Sequence, residues 1–98
     1  VRERDYQAQL IQRIERRFPG AVVLKNDTAY LQGVPDLLIL YGDRWAMLEV
    51  KTSANAPTRP NQDYYIDLFH GMSFAAYIWP EVEEDVLSEL QHAFRFGG

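Results

Sequence analysis

Three ionisable side chains interrupt an otherwise apolar stretch: Asp36, directly after Gly33-Val34-Pro35, and then Glu49 and Lys51 in Leu48-Glu49-Val50-Lys51. Burying a charge without a partner costs several kcal/mol, so buried charges are normally paired or bound to a metal. Two acids and an amine inside apolar sequence therefore ask for a chemical reason. Paired carboxylates suit magnesium or manganese, which take oxygen donors and keep coordination positions for water and phosphate. An adjacent amine can hold the attacking water or offset charge that develops on phosphate oxygens. The chemistry these residues point to is metal-assisted hydrolysis of a phosphodiester.

Strands must position these groups. Residues 36–41 read as a strand that is apolar on both faces and hence central in a sheet, and Pro35 is tolerated at its start. Gly42-Asp43-Arg44 makes the hairpin turn. Residues 45–51 return antiparallel, with Glu49 and Lys51 on one face and Leu48 and Val50 on the other. Strand neighbours lie ~4.8 Å apart, so Asp36 and Glu49 can share one ion provided that both point to the same side of the sheet.

Helices flank them. Residues 2–18 form an amphipathic helix whose stripe is Tyr6, Leu10, Ile14 and Phe18, with Ile11 beside it. Glu3 and Gln7 fall inside that stripe; Glu3 suits either a place in the site or the positive end of the helix dipole. Arg13, Arg16 and Arg17 lie off the stripe and read as a solvated face. Residues 21–24 are a short strand closing at Lys25, and residues 26–32 a polar loop holding Tyr30. Pro60 suits the first turn of a second helix and Gly71 its C-terminal cap. Gln62 shares a face with Tyr65, Ile66 and Phe69, a second polar group at the N-terminal end of a buried stripe. Residues 73–79 are a last strand, and residues 81–94 an acid-capped helix with Val82, Val86 and Leu90 facing in. The predicted class is α/β, a mixed β-sheet with flanking helices in the order α-β-β-β-α-β-α. The helix before the last strand makes a right-handed crossover to a parallel pairing. One domain spans 1–98.

Composition limits the alternatives. The chain is 47% hydrophobic and 24% charged, ordinary for a folded domain and unlike a disordered one. Cysteine is absent, which excludes disulfides, thiolate metal sites and cysteine nucleophiles and agrees with a reducing compartment. No apolar run approaches the ~20 residues of a membrane helix, and no basic-then-apolar leader is present; the expectation is a protein with no membrane partner. The net charge of −4 arises entirely in residues 81–98, while residues 1–80 carry nine acids and nine bases. With Asp36 and Glu49 neutralised by a cation, that larger part would present a mildly basic surface to a DNA backbone. His70 and His92 lack metal-ligand spacing and read as bystanders. The aromatic residues read mostly as core, with any exposed excess near the last strand and helix available as a dimer face.

Glu-x-Lys alone is commonplace, and Pro-Asp at a strand start is usually a turn. The ordered set is more specific. Gly33-Val34-Pro35-Asp36 followed by Glu49-Val50-Lys51 resembles the signature of the PD-(D/E)XK nuclease superfamily, and within it the VRR-NUC group with its small stand-alone phage-type members. Glu3 with Gln7, Asn26 before the glycine, and Pro60-Asn61-Gln62 also fit that group. The resemblance implies a restriction-endonuclease-like fold with Mg2+ as cofactor and Mn2+ as substitute. Asp36, Glu49 and the Val50 carbonyl would be metal ligands. Lys51 would be the catalytic lysine, Glu3 the acid acting on the metal shell through water, and Gln62 the supporting glutamine. It implies hydrolysis of DNA, structure-selective on branched substrates in the manner of a Holliday junction resolvase. It also implies a homodimer, and a cytoplasmic place of action, for phage-type members that of the bacterial host. Candidate nucleic-acid contacts are Lys25, Tyr30, Arg44 and Arg59, with Arg2 and Arg4 at the first helix. Two other readings stay open: a non-catalytic DNA-binding or assembly module of the same fold, and a nuclease acting on DNA ends or RNA.

Overall fold

The apolar stripe of the first segment becomes helix α1 (Glu3–Arg17), burying Tyr6, Leu10 and Ile14, with Phe18 buried just beyond its end. The computed structural model describes residues 2–96. After α1 come strands β1 (Val22–Lys25), β2 (Leu37–Tyr41) and β3 (Arg44–Val50), helix α2 (Gln62–Met72), strand β4 (Phe74–Ile78), a single 3-10 turn (Pro80–Val82) and helix α3 (Glu83–Phe96). The order expected from the sequence is the order found.

The sheet runs β1-β2-β3-β4. β1/β2 and β2/β3 are antiparallel, and β3/β4 is parallel because α2 carries the chain across. The β2–β3 connection is the two residues Gly42-Asp43, with Gly42 at φ 63. A positive φ at the first position of a two-residue turn matches the twist of the flanking strands. Arg44 consequently belongs to β3, not to the turn.

The two faces of the sheet differ. Leu37, Ile39, Ala46, Leu48 and Val50 point to one side and join the stripes of α1 and α3 in the main core. Phe18, Tyr41 and Phe94 close its hairpin end with ring centroids 5.3–5.9 Å apart. By alternation, Leu38, Leu40, Trp45, Met47 and Glu49 point to the other side. There α2 packs on β3 and β4, Trp45 meeting Phe69 edge-on. The β1–β2 half has no helix over it, so Val22, Leu24 and Leu40 are 50%, 45% and 37% exposed. β2 is interior to the sheet, as expected, but buried well on one face only.

Other expectations change. α2 begins at Gln62, after Asn61 at φ 70, rather than at Pro60. Gly71 lies inside its last turn, and the cap is Ser73, whose N–H donates to the Phe69 carbonyl. Arg13 and Arg17 are not a solvated face. Arg13 donates to both oxygens of Glu83 at 2.6 and 2.9 Å, and Tyr6 Oη donates to the same carboxylate at 2.9 Å. Arg17 donates to Glu84. The acidic start of α3 thus docks on the basic side of α1, and the Arg13 bond holds the Glu83 carboxyl below the usual range. Tyr64 and Phe96 are mostly exposed rather than core. No helix among the described residues is long and apolar enough to cross a membrane.

Candidate active site

Two backbone clamps place Asp36. The Asn26 N–H donates to the Asp36 carbonyl, and Asn26 Nδ2 donates to the Pro35 carbonyl, both at 2.8 Å. Gly33, at φ 92, lets the loop run against the start of α2; a Cβ there would stand 2.7 Å from Asn61 Cβ and 2.8 Å from the Pro60 carbonyl oxygen. Asp36 itself sits one residue before β2. Continuing the Leu37↔Leu48 register by one residue sets it opposite Glu49, with both side chains on the α2 face. Its Oδ2 accepts the Val50 N–H at 3.0 Å.

Glu49 is 4% exposed. Its Oε2 accepts a 2.6 Å bond from Gln62 Nε2, and Gln62 Oε1 in turn accepts the Arg59 N–H at 2.9 Å. Among the described residues its Oε1 is buried without a hydrogen-bond partner. Burial, then the charges of Asp36 and Glu3, push the Glu49 carboxyl up to about 8. Burial also raises Asp36, against the Val50 N–H and Arg59, which hold it down. Glu3, in the first turn of α1, is raised by burial and by the charge of Asp36. Carboxyls crowded in this way favour a proton or a cation.

These donors fit a divalent ion. A buried oxygen lacks a partner, a second carboxylate is its neighbour, and the main chain of Val50 adjoins both. Among the described residues no three His, Cys, Asp or Glu side chains close into one ligand group. The carboxylates placed opposite each other are two, Asp36 and Glu49, and magnesium is commonly held by one or two carboxylates together with water. His70 and His92 stand elsewhere, against Phe74 and Phe96.

Lys51 keeps the Glu49 face that alternation gives it, and its head group meets neighbours that the sequence did not point to. It is 9% exposed, and its Nζ donates to Thr58 Oγ1 at 3.4 Å and stands 4.7 Å from the Tyr77 ring centroid. No ion pair joins it to Asp36 or Glu49 among the described residues. The Arg59 charge acts on both acids and holds them down. A cleft of about 190 Å³ opens over the pair, walled by Thr28, Gln32, Asp36, Glu49, Arg59 and Gln62. Thr28 and Gln32 were not singled out from sequence, although they belong to the polar loop before Gly33. Neither was Tyr77, which pairs with Glu49 across β3–β4. A larger hollow of about 370 Å³ at the hairpin end is lined by Arg44, Trp45 and His70, but no buried acid pair faces it.

The candidate nucleic-acid contacts divide. Arg59 walls the cleft. Lys25, Tyr30, Arg2 and Arg4 are exposed, with Arg2 tied to Asp5 at 3.2 Å. Arg44 is a correction: five residues along β3 put it roughly 17 Å from Glu49, where its Nη1 donates to the Ala93 carbonyl.

Known structures share this arrangement of elements. A "VRR_NUC domain protein" superposes with a TM-score of 0.69 at 18% identity, covering 99% of this chain and 91% of its own. A second, "VRR_NUC domain", gives 0.65 at 21% identity, covering 87% of this chain and 94% of its own. No family model matches the sequence, and no curated protein matches it. The chain shares the fold of these VRR_NUC domain structures.

Proposed function

We propose that this chain uses its nuclease fold as a divalent-metal-dependent DNA endonuclease, hydrolysing phosphodiester bonds with selectivity for branched DNA. One observation carries the reading: the unpartnered, buried Oε1 of Glu49 beside Asp36. A fold that only needed packing would gain by replacing this pair with apolar side chains.

In this reading Asp36, Glu49 and the Val50 carbonyl hold magnesium, or manganese in its place. When bound, the ion polarises the phosphate and makes water a better nucleophile. Gln62 fixes the rotamer of Glu49 by its 2.6 Å bond. Glu3, in the first turn of α1, orients a water. Lys51 offsets charge on the phosphate as the water oxygen bonds to phosphorus and the bond to the leaving sugar oxygen breaks. Asp36 and Glu49 thus serve the reaction by placing an ion, while Lys51 serves it by charge.

In this reading Arg59, at the cleft, and the exposed Lys25, Tyr30, Arg2 and Arg4 serve as phosphate and sugar contacts, and such contacts make binding fall steeply with salt. A chain of this size has little surface for reading a long sequence, which favours recognition of shape. The open apolar face of Val22, Leu24 and Leu40 supports a homodimer, since exposed apolar patches mark association surfaces. That face lies on β1 and β2, not near β4 and α3, where the aromatic content had pointed. The proposed place of action is the cytoplasm.

The test is a cleavage panel of four-way junctions, flaps, linear duplex, single strands and RNA, with magnesium and with excess chelator. Preferential, chelator-sensitive cutting of the junction is expected. Cutting only at ends or only of RNA would redirect the substrate assignment. Binding without cleavage of any substrate would leave a non-catalytic module.

A further inference from the structure

Lys51 is held by an aromatic face rather than by a carboxylate. Its ammonium lies 4.7 Å from the Tyr77 centroid, and its hydrogen bond to Thr58 Oγ1 is long, at 3.4 Å. Tyr77 stands beside Glu49 in the β3–β4 register. The Tyr77 hydroxyl donates to the carboxylate of Asp63, in the first turn of α2 and next to Gln62. We infer that Tyr77, anchored by Asp63, is the positioning residue that holds Lys51 in reach of the site but off its acids. The inference rests on the nuclease reading above.

The physical argument concerns where a lysine would go without the ring. Its stem has four rotatable bonds, and its head is a compact charge with three donors. Beside Asp36 and Glu49 a free ammonium would collapse into an ion pair, covering the oxygens that a divalent ion needs. A π face attracts the ammonium without taking its N–H donors, so two of the three stay available to a phosphate. The ring must itself be fixed, and the bond from its hydroxyl to Asp63 does that. One turn of α2 therefore sets both halves of the site: Gln62 orients Glu49, and Asp63 orients Tyr77 and through it Lys51. A purely structural tyrosine would make the same contacts with the sheet but would not discriminate between binding and turnover.

The test uses the full chain with magnesium and a four-way DNA junction, comparing Tyr77→Phe, Tyr77→Leu and Asp63→Asn. Tyr77→Leu is expected to lower kcat by about 10-fold or more at unchanged KM, because a displaced catalytic group costs the transition state and not the ground state. Tyr77→Phe keeps the ring but loses its anchor and falls between; Asp63→Asn, whose amide oxygen still accepts the hydroxyl, stays nearest the wild type. A second measurement needs no cleavage. The chain has two lysines, Lys25 and Lys51, so the ε-methylene protons of Lys51 can be identified by NMR. They are expected upfield of those of Lys25 through the Tyr77 ring current, in the wild type and in Tyr77→Phe but not in Tyr77→Leu. Wild-type kcat in folded Tyr77→Leu, a change confined to KM, or an unshifted Lys51 overturns the inference and leaves the nuclease reading intact. A wild type that cuts nothing while Lys51 stays shifted overturns the nuclease reading, and with it the catalytic purpose of the contact. Should Tyr77→Leu not fold, the Lys51 shift and the kcat of Tyr77→Phe decide.

Discussion

Gln62 donates a 2.6 Å hydrogen bond to Oε2 of Glu49, while Oε1 of the same buried carboxylate meets no donor among the described residues. The glutamine thus fixes the carboxylate's rotamer and leaves one oxygen to an outside partner. Its own Oε1 is fixed by the Arg59 N–H, so its amide orientation is determined by the loop that precedes α2.

Gln62→Ala removes that constraint without touching a proposed ligand. Orienting partners of this kind are worth ~10–100-fold in metal affinity. The magnesium concentration needed for half-maximal cleavage should rise about 10-fold, and saturating magnesium should restore much of the rate. A magnesium titration of cleavage reads this; an unchanged half-point would remove Gln62 from the site.

The raised carboxyls make stability depend on pH in an unusual direction. Glu49 stands at about 8 in the fold against 4.5 when unperturbed, and Asp36 and Glu3 are raised as well. Well below 3.8, the unperturbed value of Asp36, and 4.5, that of Glu49 and Glu3, these groups are protonated in both states and cost nothing. As pH rises toward 8 the unfolded chain releases protons that the fold retains, so this contribution to stability is lost. In chelator the melting temperature should therefore fall between pH 5.5 and 8. Magnesium should raise it more at pH 8 than at pH 5.5, since the ion competes with those protons. Parallel melts in chelator and in magnesium check both; a chelator curve that climbs with pH would contradict the acid pair. Glu83, held low by Arg13, acts oppositely, its contribution being lost as pH falls through its lowered value, so the decline should be sought above pH 5.

Gly33→Ala should cost more than Gly20→Ala. Both glycines have φ 92, but a Cβ at Gly20 meets nothing within 4 Å, whereas one at Gly33 meets Asn61 at 2.7 Å. The shared backbone term is about 1–2 kcal/mol, and the clash adds roughly another 1–3 kcal/mol. Urea unfolding of both variants measures the difference. Only Gly33→Ala should also slow cleavage, because it pushes the Asp36 loop away from Gln62.

Glu83→Ala separates fold from site. It strips partners from Arg13 and Tyr6 together and should lower stability by about 2 kcal/mol. Cleavage per folded molecule should not change, and urea unfolding alongside initial rates would show a coupled loss if it did.

The nearness of Asp36 and Glu49 was legible from the hairpin, but their register was not: the expected turn Gly42-Asp43-Arg44 sets Asp36 opposite Val50, and the two-residue turn found moves it opposite Glu49. The stripe of α1 and the place of Gln62 follow from helical period. The Arg13–Glu83 contact was not legible: it joins helices some 70 residues apart, and side-chain pairing across helices leaves no periodic trace. The same holds for Lys51, whose alternation gives its face but not whether its flexible head turns to Glu49 or to Tyr77. Arg44 stands a strand's length from the acids whether it closes the turn or opens β3, because the acids lie at the far end of the hairpin from Gly42-Asp43. The bare outer face of β2 is also invisible locally, since an apolar run reads alike whether a helix covers it or not.

The central claim is that Asp36 and Glu49 together hold the ion that drives DNA hydrolysis, and Asp36→Asn tests it most directly. The substitution keeps shape and the Val50 N–H contact while removing one charge. Initial rates of junction cleavage in magnesium should fall by at least ~1,000-fold, with junction binding in chelator and the melting temperature preserved. Cleavage by folded Asp36→Asn at the wild-type rate, with the same magnesium dependence, would contradict the account.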